Sequence, residues 1–184
     1  LLIVDDVQMG CGRTGPFFSF ETAGITPDIV TLSKSISGYG LPMALTLFKP
    51  EHDLWAPGEH NGTFRGNNPA FVTAKVALDH YWSDSSFEQA TLAKGARIRA
   101  AFDELDDRFD GVSARGRGMV QGLKFVEPDH AVKVCKHAFD KGLLAETSGP
   151  RDEVVKLLPP LTVTDDELDH GLGILTEATE VVVA

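Results

Sequence analysis

Hydrophobic and polar positions along this chain fall into blocks whose rhythm changes twice. Leu1-Leu2-Ile3-Val4 is an uninterrupted apolar run that stops at Asp5-Asp6, and Ile29-Val30-Thr31-Leu32 is a second that stops at Ser33-Lys34. Short continuous runs of this kind fit parallel strands covered on both faces. Each predicts a buried strand that delivers a charged side chain at its carboxyl end. The rest of residues 1–68 reads as strand and loop, rich in Gly and Pro. Asn68-Pro69 then opens a helix, with Pro at its first position, and Ala70 to Leu78 carries apolar residues at helical spacing. Ser83 to Ser86 interrupts it. A second helix is predicted from Phe87 to Phe109, with Leu92, Ala96, Ile98-Arg99, Phe102 and Leu105 on its buried side.

After Gly111 the elements shorten. Gly118 to Val126 alternates in part and predicts a strand, while Arg115 and Arg117, on either side of Gly116, read as a solvated basic turn, with carboxylate binding as the alternative. Asp129 to Asp140 predicts a helix capped by Gly142. Leu143-Leu144-Ala145 and Val154 to Leu158 predict short strands. Thr164 and Glu167 form a capping box for a last helix that ends near Thr179. The order predicts an α/β chain: over 1–85 the tail of a large parallel-sheet domain, and over 86–184 a linking helix followed by a small α+β domain.

Composition narrows the function classes. A formal charge of −10 and a pI near 4.9 argue against nucleic-acid binding. No apolar stretch approaches the roughly 20 residues that span a bilayer. Cys11 and Cys135 lack Cys-x-x-Cys spacing and the histidines are scattered, so neither a disulfide framework nor a metal site is expected, and a reducing cytoplasm fits.

The ends of the two apolar runs carry the candidate chemistry. Open α/β sheets bind ligands at the carboxyl edge of their strands. A carboxylate and an amine brought together there suit pyridoxal phosphate, which takes a lysine as a Schiff base and an aspartate on its pyridinium nitrogen. From the residues alone, Lys34 is also what a surface lysine looks like, and Asp5-Asp6 could hold Mg²⁺ or cap a turn. The metal reading wants further carboxylates or a phosphate loop, and neither occurs. Asp6 alternates to the face opposite Asp5 and is the lesser candidate. Gly10, Gly12 and Gly15 read as backbone requirements for positive φ.

Longer stretches around these residues resemble a known family. Val4 to Gly15 (Val-Asp-Asp-Val-Gln-Met-Gly-Cys-Gly-Arg-Thr-Gly) is similar to the aspartate motif of class III aminotransferases. Pro27 to Lys34 resembles their lysine motif, Asn61 to Pro69 their third signature, and Val155 to Leu161 their C-terminal segment. The four keep the family's order across nearly the whole chain. The resemblance implies a pyridoxal-phosphate-dependent transferase of fold type I, of which this chain is a C-terminal part. It implies Lys34 as the cofactor-binding and proton-carrying lysine, and Asp5 on the ring nitrogen. It further implies Gln8 on the ring hydroxyl and Thr63 on the phosphate of the cofactor in a neighbouring subunit, hence a homodimer or higher homo-oligomer. Lys156 stands where part of the family has an arginine for a substrate carboxylate. A lysine offers a point charge in place of the planar fork, so its role there stays open against simple exposure to solvent.

The finer wording of residues 5–21, 35–44 and 58–65 implies one reaction within the family. It is transfer of an amino group from L-glutamate to L-aspartate 4-semialdehyde, giving L-2,4-diaminobutyrate and 2-oxoglutarate on the route to ectoine. The alternatives are another ω-amine acceptor or donor such as ornithine or 4-aminobutyrate, or a truncated product without activity of its own. Family members carry an upstream phosphate loop and a ring-stacking aromatic, so these 184 residues alone are expected to bind cofactor weakly and turn over poorly.

Overall fold

The computed structural model describes residues 1–63 and 65–183. The chain divides into two compact units, Leu1–Gln89 and Ala90–Ala184. Among the described residues no helix is long and apolar enough to cross a membrane.

The first unit is built on a three-stranded mixed sheet. Strand β1 (Ile3–Asp5) pairs in parallel with β2 (Ile29–Ser33), which pairs antiparallel with β3 (Ala44–Phe48). The expectation of buried strands holds for β2, where Val30 and Leu32 are buried and join Cys11 and Ile36 in a small core. It fails for β1: Leu1, Leu2 and Ile3 are exposed. The reason is position, since β1 lies at the edge of this sheet with β2 as its only strand neighbour among the described residues. Asp28 ties the sheet's entry together. Its carboxylate accepts the Leu2 N–H at 2.7 Å and the Lys49 ammonium at 2.6 Å.

Helix α1 (Asn68–Tyr81) has Pro69 in its first turn, as the sequence predicts. Its inward face is made of Ala70 and Ala74, whereas Phe71, Val72 and Val76 point away from the unit. Small residues there let the helix lie close to the turn that follows β2. A Cβ placed on Gly38 would sit 2.4 Å from the Ala77 Cβ.

The second unit opens within α2 (Ser86–Arg108). The buried positions of this helix are Thr91, Gly95, Ile98, Phe102 and Leu105. The predicted stripe is therefore right at Ile98, Phe102 and Leu105, wrong at Arg99, which is exposed, and one residue out of phase before Ile98, where Leu92 and Ala96 are exposed. Gly95 explains the shift. Its α-carbon packs so tightly that a Cβ would lie 2.7 Å from the Gly118 carbonyl oxygen, a contact that pattern reading assigns to larger side chains.

Four antiparallel strands follow in the order β4 (Val112–Arg117), β5 (Val120–Phe125), β7 (Val154–Leu157), β6 (Glu146–Ser148). Arg115 and Arg117 thus belong to a strand, opposite Gly122 and Val120, and not to a turn. Gly116 disguised it: φ there is +105°, and a Cβ would meet the Val120 carbonyl oxygen at 2.2 Å. Among the described residues, 143–145 join no strand, and the short strand lies three residues further on, at Glu146–Ser148. Helix α3 (Pro128–Asp140) gives way to Gly142 at φ +94°. Helix α4 (Asp165–Val183) starts with the predicted capping box. The Thr164 N–H donates to Glu167 at 2.9 Å, and the Glu167 N–H to the Thr164 hydroxyl at 3.3 Å. It continues past Thr179, whose buried hydroxyl donates to the Leu175 carbonyl at 2.8 Å and so stays inside the helix. Ile98, Phe102, Leu123, Phe125, Val134, Val155 and Leu175 make a closed core in this unit.

Candidate active site

Parallel pairing puts the carboxyl ends of β1 and β2 side by side. Asp5, the last residue of β1, is in register with Thr31. Asp5 Oδ1 accepts the Val7 N–H at 3.0 Å and the Thr31 hydroxyl at 3.2 Å. Its Oδ2 accepts no hydrogen bond among the described residues. The alternation of a strand sends the next residue inward. Asp6 is buried, where it accepts the Ser19 N–H at 2.9 Å and the Ser19 hydroxyl. One aspartate faces outward and the other ties down the 7–20 loop. Buried Cys11 lies in that loop, its thiol pushed up to about 11 by burial first and by Asp6 second.

Lys34 follows β2 directly and opens a single 3₁₀ turn, Lys34–Ser37. Its φ is +53°, the left-handed region, which is uncommon for a residue with a side chain and costs about 1–3 kcal/mol where the surroundings enforce it. Anchors lie on both sides. The Ser33 hydroxyl donates to the Met43 carbonyl at 2.7 Å, and Ile36 and Ser37 are buried. The lysine side chain is exposed and makes no ion pair among the described residues.

The remaining candidates are less constrained. Gln8 is exposed at the start of the 7–14 turns. Gly12 and Gly15 have the expected positive φ, +87° and +109°, but Gly10 does not. Gly10 is required for close packing, since a Cβ there would lie 2.8 Å from Leu32 Cδ2. Thr63 is exposed in the segment between β3 and α1, whose far end is tied to the body by Asn67 donating to the Pro42 carbonyl at 3.2 Å. Phe64, in the same motif, lies outside the described residues. The unit thus brings Asp5 and Lys34 to one sheet edge, with Gln8 three residues beyond Asp5.

Lys156 belongs to the second unit. It lies on β7, opposite Gly122 of β5 and Glu146 of β6, and its ammonium is 3.1 Å from the Glu146 carboxylate. Both charges line a groove of about 400 Å³ whose walls include Leu144, Leu157, Leu158 and Leu172. Sequence reasoning missed Thr31 and Glu146. Thr31 had a visible signal, as the polar interruption of an otherwise apolar run. Glu146 had none, because its approach to Lys156 depends on the β6–β7 register.

Comparison with known proteins places the chain in a family. The aminotransferase class-III family profile matches residues 1–179. The chain is 70% identical over 182 residues to the diaminobutyrate–2-oxoglutarate transaminase of Nocardia farcinica, covering 99% of this chain and 42% of that protein. It is 64% identical over 175 residues to the Streptomyces anulatus protein of the same name, covering 95% and 42%. Among solved structures it is similar to the ornithine aminotransferase of Toxoplasma gondii, with PLP at partial occupancy in the active site. That match has a TM-score of 0.89 at 27% identity and covers 99% of this chain and 43% of that one. The chain spans less than half the length of these relatives. On its motifs, its fold and these matches, the chain belongs to the class III aminotransferases.

Proposed function

We propose that this chain, as part of a longer polypeptide, serves a pyridoxal 5′-phosphate-dependent aminotransferase. Its reaction moves an amino group from L-glutamate to L-aspartate 4-semialdehyde, giving L-2,4-diaminobutyrate and 2-oxoglutarate, in the synthesis of ectoine. The observation that carries the reading is the placement of Asp5 and Lys34 at the carboxyl ends of two paired parallel strands. The names of the relatives at 70% and 64% identity support the choice of substrates.

The donor set fits this cofactor. Among the described residues Asp5 holds one oxygen on two donors and leaves the other open, and Lys34 presents an amine without an ion pair. When bound, the cofactor supplies an aldehyde that takes up the amino group and a protonated ring that accepts electrons. Asp5 would face the ring nitrogen and keep it protonated. Val7 and Thr31 hold that carboxylate in place. Lys34 would hold the aldehyde covalently with loss of water and, once displaced by the substrate amine, would carry the proton to and from the substrate carbon. Gln8 donates to the ring hydroxyl without adding charge. Thr63 binds the phosphate of the cofactor in a neighbouring subunit, which makes a homodimer or higher homo-oligomer the working unit. Lys156 receives a substrate carboxylate, which has to compete with Glu146 for it. In this reading residues 1–85 complete the cofactor-binding domain, residues 86–184 form the linking helix and small domain, and the enzyme works in the cytoplasm.

The test is pyridoxal phosphate binding by the full-length protein and by this chain, with borohydride reduction and peptide mapping, followed by profiling of amino donors and acceptors. An adduct on Lys34 and preference for L-glutamate with L-aspartate 4-semialdehyde are expected. Preference for ornithine or 4-aminobutyrate would transfer the reading to another member of the family. No adduct in either protein would end it.

A further inference from the structure

The residue that closes the turn begun by Lys34 also reaches back to it. Ser37 is fully buried. Its hydroxyl accepts the Gly40 N–H at 3.0 Å and donates to the Lys34 carbonyl at 3.4 Å, the second contact being long for a hydroxyl donor. The lysine carbonyl and the amide of the following loop are thereby joined through one side chain. The rest of the turn is fixed independently. The Gly38 N–H donates to the Ser35 carbonyl at 3.0 Å, Ile36 sits in the core, and Gly38 lies so close to α1 that a Cβ would be 3.0 Å from the Thr73 carbonyl oxygen. The left-handed φ of Lys34 sets the direction of its Cα–Cβ bond. Relaxation to the right-handed region would swing that bond, and the amine with it.

We propose that Ser37 is a positioning residue for Lys34. By holding the Lys34 carbonyl and the Gly40 amide together, it keeps the lysine backbone in its left-handed conformation and fixes where the amine points. The proposal rests on the reading of Lys34 as the cofactor-binding lysine. Ser37 touches neither cofactor nor substrate in it.

The test compares the full-length wild-type protein with S37A and with S37T, which keeps the hydroxyl. In the cofactor-free proteins, hydrogen exchange over residues 34–40 and acylation of the Lys34 amine are followed by peptide mapping, with Lys75 as internal standard. In the loaded proteins, the rate of cofactor attachment and the separate values of kcat and KM are measured. For S37A, exchange at the Gly40 amide rises, the ratio of Lys34 to Lys75 acylation changes, and attachment and kcat fall about 10- to 100-fold with KM for L-glutamate nearly unchanged. S37T restores these rates. Wild-type attachment and kcat in S37A overturn the proposal, as does an equal loss in S37A and S37T that follows the melting temperature alone. If S37A does not fold, the near-isosteric S37C is read by the same criteria. No reducible adduct at Lys34 in the wild type overturns the cofactor reading and this proposal together, whereas an adduct formed equally fast in wild type and S37A overturns only the proposal.

Discussion

The hydroxyl of Thr31 donates to Asp5 Oδ1 at 3.2 Å, across the strand pair in which the two residues are in register. Together with the Val7 N–H it occupies one carboxylate oxygen, and among the described residues its twin accepts no hydrogen bond. Substitution in the full-length protein separates the two contributions. D5N is expected to lower kcat by about 10²–10⁴-fold, on the scale of losing a charged group that acts on the transition state. T31V, which keeps the shape and removes one hydrogen bond to a charged acceptor, is expected to cost about tenfold. Steady-state rates of both variants check this, and a T31V enzyme as impaired as D5N would show that the hydroxyl does more than orient.

Gly95 fills a position where a methyl group has no room. The Gly118 carbonyl oxygen stands 2.7 Å from where its Cβ would be, and the Gln121 side-chain amide clamps both backbones, donating to the Gly95 carbonyl at 2.6 Å and the Gly118 carbonyl at 2.7 Å. The obstacle is backbone and cannot rotate away. G95A should destabilise the protein by about 1–3 kcal/mol despite the better helix propensity of Ala. Urea denaturation of wild type and G95A measures it; an unchanged midpoint would mean that α2 and the β4–β5 turn separate freely.

The Lys49 ammonium and the Leu2 N–H hold the Asp28 carboxyl down at about 2, from an ordinary 3.8. A carboxyl depressed on folding stabilises the folded state fully above its unfolded value and loses that contribution as pH falls through its folded value. The advantage of wild type over D28N should therefore be constant above pH 3.8 and shrink from 3.8 towards 2. Urea midpoints of both proteins at pH 6, 4.5 and 3 test the sign. A gap that widens on acidification contradicts it.

Burial pushes the Cys11 thiol up to about 11 and raises that of half-buried Cys135. The thiolate is the reactive form, so Cys11 should resist alkylation in the folded protein at about pH 8 and react on denaturation. Cys135 should be modified first. Mass mapping after brief iodoacetamide treatment decides, and rapid labelling of Cys11 would mean that the 7–20 loop opens readily.

Much of this molecule was legible from local chemistry. The paired apolar runs place Asp5 and Lys34 at neighbouring strand ends, Pro69 marks the start of α1, and Thr164 with Glu167 marks that of α4. Each depends on neighbours a few residues away. Features that depend on distant partners were hidden. Thr91 and Gly95 take the buried side of α2 because Gly118 presses on the helix from another part of the chain. Arg115 and Arg117 read as a turn because the strand's register with Val120 and Gly122 is not written beside them. Within these 184 residues β1 has β2 as its one described strand neighbour, and Leu1, Leu2 and Ile3 are exposed.

The interiors of the two units are unequal. Cys11, Val30, Leu32 and Ile36 form the core cluster of the first, while the second closes over a set that includes Ile98, Phe102, Leu105, Leu123, Phe125, Val134, Val155 and Leu175. Apolar area removed from water scales with such sets. On warming these 184 residues by themselves, the half bearing Lys34 is expected to melt first and the C-terminal half to persist as a folded remnant. Circular dichroism would then report a protein still largely helical after its reactive amine had lost its setting.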